Sequence, residues 1–136
     1  MKTNLLRTSI LAVVAAAAVY GQSSQILKVS VPFDFIVGTQ TLRAGQYTVD
    51  QGPVSRAAVI KSSDHKRGVI VVGNSLQSLD PQKEGKLVFH RYGDTYFLIE
   101  VWGAGNYGRQ VPKTRREREL AARGLPPESS TLVASR

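Results

Sequence analysis

Between Leu87 and Trp102 the chain sets a histidine, an arginine, a glutamate and five of its ten aromatic residues, in the order LVFHRYGDTYFLIEVW. Three chemistries are open to such a set. His90 has the side chain of a general base, but that role needs a nucleophile or a positioned acid, and no recognisable motif supplies one. A metal would draw on His65 and His90 with Asp64 or Asp94, yet none of these has ligand spacing. The chain has no cysteine, which removes thiolate ligands and thiol nucleophiles. We therefore assign no catalytic residue, no metal and no cofactor. Arg91, Tyr96, Glu100 and Trp102 make the third set: an aromatic platform edged by charge, suited to stacking on a sugar or peptide. The same four residues also fit a cation–π and ion-pair ladder beneath the C-terminal segment, and the ladder is the preferred expectation.

Positioning these groups calls for a hairpin. With Gly93 and Asp94 as the central residues of a tight turn, Tyr92 faces Thr95, Arg91 faces Tyr96, His90 faces Phe97, Phe89 faces Leu98 and Val88 faces Ile99. On this register the four candidate ligand-binding residues share one face with Leu87, Phe89 and Leu98. Both faces are largely apolar, as in a central hairpin covered on both sides. Cross-strand pairing then accounts for most of the aromatic density.

A second basic set follows. Residues 109 to 136 hold seven of the eighteen Lys and Arg and three of the ten acids. Arg109, Lys113, Arg115, Arg116 and Arg118 are candidate contacts to an anionic surface such as an acidic polysaccharide or envelope lipid. Glu117 and Glu119 interleave with them, so a solvated helix with self-pairing charges is the competing reading. A membrane-inserting helix would need a larger apolar face. No nucleic-acid partner is expected.

The N-terminus reads as an export signal. MKTNLLR carries Lys2 and Arg7 and no acid, and TSILAVVAAAAVY is an apolar run short for a bilayer span. Val19 and Gly21 place cleavage after Gly21, with Ala16/Ala18 as second choice. A membrane anchor is the competing reading, and no transmembrane span is expected after cleavage. Residues 1–21 are thus a signal peptide, and the protein is periplasmic or extracellular. Removal of the signal leaves enough chain for one domain, and without disulfides packing alone must hold it.

The rest of that domain reads as strands. QILKVSVPFDFIVG alternates throughout, with Leu27, Val29, Val31, Phe33, Phe35 and Val37 on one face. Pro32 marks an edge or a bulge. TLRAGQYTVD, SRAAVIKS and RGVIVVGN are further short runs, and SLQSLDPQKEG is read as an irregular connection. These runs predict an all-β domain over 22–108, an antiparallel sandwich or small barrel of about seven strands. A basic segment over 109–124 carries a short C-terminal helix, with Thr114 and Glu117 as a capping box and Gly124 as its stop. Glu119 and Arg123 are spaced to pair along it. Residues 125–136 are read as a disordered tail.

The combination VPFDFIVG, TLRAGQYTV, GKLVFHRYGDTYFLIEVW and RRERELA resembles a family of small uncharacterised exported proteins of acidobacterial-type soil bacteria. The resemblance spans nearly all of the expected mature chain. TLRAGQYTV also resembles the Leu-Pro-Ala-Gly-x-Tyr turn of many surface β-sandwich modules, with Arg43 where proline is usual. The family brings no activity and no site residues; it implies export and a β-rich fold.

The expected function is accordingly a non-enzymatic structural or interaction module of the cell envelope, assembling through edge strands such as the Pro32 strand. The alternative is a binder of anionic glycan or envelope surface through the basic C-terminal segment. An envelope protein and an anionic polysaccharide are the corresponding partners. No nucleophile, base and acid can be assembled into an enzyme site.

Overall fold

The alternating apolar residues from Leu27 to Val37 do line one core, but from two strands in two sheets. The computed structural model describes residues 25–51 and 57–135. The expected signal peptide and the first residues of the SRAAVIKS run lie outside them. Strand β1 (Gln25–Val31) ends where Pro32 has no N–H to donate. The Asp34 carboxylate accepts from the Ala44 N–H at 2.8 Å at this corner, and β2 (Phe35–Val37) resumes in the second sheet. Leu27, Val29, Val31, Phe35 and Val37 are buried, and Phe33 packs against them.

Eleven strands and one helix are present among the described residues. The first sheet runs β1, β4 (Gly45–Gln51), β5 (Ala57–Ser62), β6 (Gly68–Val72), all antiparallel. The second runs β11 (Glu128–Val133), β8 (Lys86–Tyr92), β9 (Thr95–Trp102), β10 (Gly105–Gln110), β7 (Asn74–Gln82). Strand β2 lies parallel to β9, and β3 (Gln40–Leu42) pairs with β2. The two sheets pack as a sandwich over Val49, Ile60, Phe89 and Val101, each fully buried. Phe35 meets Tyr47 and Phe89 edge-on, with ring centres 5.2 and 5.4 Å apart, a favoured aromatic geometry.

Two segments read as irregular are strands, which raises the count above the expected seven. SLQSLDPQ belongs to β7, an edge strand that tolerates Pro81 because nothing need pair with it outside. It is far from regular: Tyr107 pairs with Gln77 but Gly105 with Gln82, so the residues between bulge out and Leu79 is 98% exposed. The expected disordered tail is likewise corrected. Residues 128–133 form β11 along β8, Ala134 is buried, and its N–H donates to Gly85 O at 2.8 Å. The Ser135 N–H donates to Lys28 O, also at 2.8 Å. The run ESSTLV has no period-two signal of its own, yet it pairs along the open edge of β8.

Helix α1 (Arg115–Ala122) starts at Thr114, whose hydroxyl accepts from the Glu117 N–H at 3.1 Å, and Gly124 at φ +79° follows its end. Glu119 pairs with Arg115 at 3.0 Å rather than with Arg123. No helix among the described residues is long and apolar enough to cross a membrane.

Candidate functional site

The hairpin forms with Gly93 at φ +61° in its turn, and the expected register holds from Tyr92/Thr95 to Phe89/Leu98. There it breaks. Val88 pairs with Glu100, leaving Ile99 as the extra residue of a β-bulge. One extra residue exchanges the faces of everything beyond it. Tyr96 and Leu98 pack on the main core, and so does Val101 three residues further. Glu100 and Trp102 flank Val101 and therefore point to the opposite face from Tyr96.

The four candidate ligand-binding residues thus separate into two pairs. Arg91 lies over Tyr96, 5.9 Å from its ring centre, and Tyr96 stacks on Phe33 at 3.7 Å. The Arg91 Nε donates to Gly93 O at 2.7 Å and sits 3.8 Å from Glu128 of β11. On the other face, Trp102 Nε1 donates to Glu100 at 2.7 Å, with the Lys86 ammonium 5.7 Å from the indole. A Cβ on Gly108 would lie 2.6 Å from that ring, so Trp102 lies flat on β10. Each pair is satisfied by its own neighbours. No common platform joins them.

The bulged hairpin presents a different cluster to α1. Glu117, expected at a capping box on a solvated helix, is instead 2% exposed against the sheet. Its Oε1 is 3.3 Å from His90 Nδ1 and accepts from the Tyr92 hydroxyl at 3.3 Å. Burial first, then the Glu117 charge and bond, raise the Tyr92 pKa above its ordinary value. Ile36, Phe97 and Tyr92 form a second small core here, with Ile99 and Leu120 packed on it. A His–carboxylate pair is half of a base catalyst, but its carboxylate already serves Tyr92 and is shut from solvent. The cluster fastens the helix to the sheet. His65 is exposed in the 63–66 turn. Among the described residues no group of three or more His, Asp and Glu is placed to hold a metal.

The basic segment divides too. Arg109 is 8% exposed, opposite Val101 on the inner face of β10, and so is withdrawn from any surface. Lys113, Arg115, Arg116 and Arg118 are exposed. Lys113, Arg115 and Arg118 form one wall of a groove of about 360 Å³ whose opposite wall is β6. Val37 and Val111 also line it.

In sequence strand β6 is a short β-branched run, and its importance lies in its position. It ends the first sheet with no strand beyond it among the described residues. Ser62 N–H donates to Arg67 O at 2.9 Å, which sets the phase of the β5–β6 ladder. Bonded pairs fall at Ile60/Val69 and Ala58/Val71, so the backbone N–H and C=O of Ile70 and Val72 point away from β5. Their side chains are 68% and 62% exposed, while Val69 and Val71 are buried. A strand apolar on both faces, GVIVV, carried that signal in the sequence.

No family model matches the chain, and no curated protein or solved structure is significantly similar to it.

Proposed function

We propose that the chain is an exported, non-enzymatic interaction module of the cell envelope that engages its partner along β6. The observation behind this reading is the backbone of Ile70 and Val72, turned away from β5 at the end of a packed sheet with no strand beyond it among the described residues, next to exposed aliphatic side chains. Uncovered edges are usually blunted by charge, proline or a covering element. The edge of β1, expected to serve through its Pro32 end, is crossed by the Ser135 bond to Lys28. The N-terminal MKTNLLR and the apolar run after it support export to the periplasm or beyond.

A photo-crosslinking residue at position 70 of the full chain, in its native cells, tests the reading. It should capture an envelope protein, while the same residue at Thr48, in mid-sheet, should not. Equal adducts at both positions, or none at 70, would refute it.

One observation favours a second reading, adhesion to an anionic glycan or envelope surface. With Glu117 turned into the sheet, Glu119 is the remaining acid among the exposed cations of α1. On this reading, retention on an acidic polysaccharide weakens with salt and is lost in Arg116→Glu/Arg118→Glu.

A further inference from the structure

The groove beside β6 carries more information than a free edge, because its far wall has a sign. Lys113 and Arg118 have no carboxylate partner among the described residues, and Arg115 shares its charge with Glu119 at 3.0 Å. The near wall offers apolar side chains and the outward-facing amides of Ile70 and Val72, to which no strand is paired among the described residues. A sugar or a lipid headgroup could meet the cations but could not continue a β ladder. An extended polypeptide meets both, since successive side chains of a strand point to opposite faces. One set would lie beside Ile70 and Val72, and the other would turn toward Lys113 and Arg118.

We infer that this groove binds an extended polypeptide segment of a partner in which aliphatic residues alternate with Asp or Glu, adding a fifth strand to the first sheet. The inference rests on the strand-addition reading above and specifies the partner's chemistry. A second copy of this chain fits poorly as the occupant: pairing β6 with β6 brings two cationic walls together in one groove, where like charges repel.

Fluorescence anisotropy with the full chain at low salt tests it, using labelled heptapeptides of alternating valine and glutamate, valine and lysine, or valine and threonine. The valine–glutamate peptide should bind more tightly than the other two. Lys113→Glu/Arg118→Glu should weaken it by about tenfold or more, equivalent to about 1.4 kcal/mol. N-methylation of alternate amides should abolish binding, a control that leaves the protein unaltered. Ile70→Pro should do the same, because that N–H faces away from β5 and its loss spares the existing ladder. Equal affinity for the lysine or threonine peptide overturns the acidic preference while leaving strand addition standing, provided Ile70→Pro still abolishes binding. Retained binding of the N-methylated peptide overturns both and identifies a simple anion site, as would displacement by an acidic polysaccharide in the Ile70→Pro chain. A dimer by light scattering that Ile70→Pro dissolves would assign the edge to a second copy. Absence of peptide binding rejects the inference, and crosslinking at position 70 then decides separately whether the edge is used at all.

Discussion

Replacing Glu117 with alanine strikes the point where the helix meets the sheet. Both contacts of its Oε1, to His90 Nδ1 and the Tyr92 hydroxyl, are 3.3 Å long. Bonds at that length contribute toward the low end of about 0.5–1.5 kcal/mol each. The larger cost is what remains: Tyr92 is 3% exposed, so its hydroxyl is left in the interior without a partner, at about 1–3 kcal/mol. Loss of the one buried methylene, Cγ, adds about 0.8 kcal/mol. Glu117→Ala should therefore destabilise by about 2–4 kcal/mol, lowering Tm by roughly 10–20 °C for a domain of this size. Glu117→Gln retains an acceptor for Tyr92 and should cost about 1 kcal/mol. Glu119→Ala, which breaks an exposed pair, should cost no more than about 0.5 kcal/mol. Urea unfolding of the three variants, with Tyr92→Phe and Tyr92→Phe/Glu117→Ala to close a double-mutant cycle, measures these differences. If Glu117→Ala matches Glu119→Ala, or the cycle shows no coupling, the carboxylate does not hold the helix and the reasoning fails.

Other outcomes follow from the same geometry. Tyr92 has its pKa raised above 10.0, so the unfolded chain gives up the phenolic proton first. Its contribution is complete below pH 10 and is lost as pH rises toward the folded value. Tyr92→Phe should remove that part of the alkaline loss of stability; identical alkaline unfolding profiles would contradict it. A Cβ on Gly73 would stand 1.9 Å from Gln110 O, backbone against backbone, so Gly73→Ala should cost about 3 kcal/mol. Gly68→Ala, with its nearest atom at 3.5 Å, is the near-neutral control for thermal melts. Deleting residues 125–136 uncovers the edge of β8 and takes away Ala134, so the shortened chain should unfold at lower urea and self-associate in light scattering.

Period-two alternation carried most of the fold, because burial between two sheets enforces it. It placed Leu27, Val29, Val31, Phe35 and Val37 in the core correctly even though the chain changes sheets at Pro32. The Gly93-Asp94 turn likewise set the register as far as Phe89/Leu98. Ile99 was not legible as a bulge, since no Gly or Pro marks it. That one residue moved Glu100 and Trp102 to the other face and dissolved the candidate platform. Glu117 misled for a related reason: the spacing that fits a capping box also turns its side chain toward a neighbouring sheet, and only the position of Tyr92 decides between them. Strand β11 is not legible because Pro126 and Pro127 look like the start of a tail, while its stability comes from the open edge of β8, whose residues lie far back in the chain, from Glu128↔Arg91 to Val133↔Lys86. The β6 groove needed the fold outright, as its cationic wall lies some forty residues beyond the strand in sequence.

The stitch between Ser135 and Lys28 also has a kinetic side. Its two residues are separated by 107 positions, so the first strand cannot receive its last hydrogen bonds until almost the whole chain has been made. Until then β8, at the centre of the core, keeps one flank bare. The pairings of β2 with β9 and of β11 with β8 are also non-local, a feature of sandwich topologies that fold in about milliseconds to seconds rather than microseconds. Such late closure leaves the backbone edge beside Phe89 uncovered until residues 128–135 have been made, and a holding chaperone would find its target there.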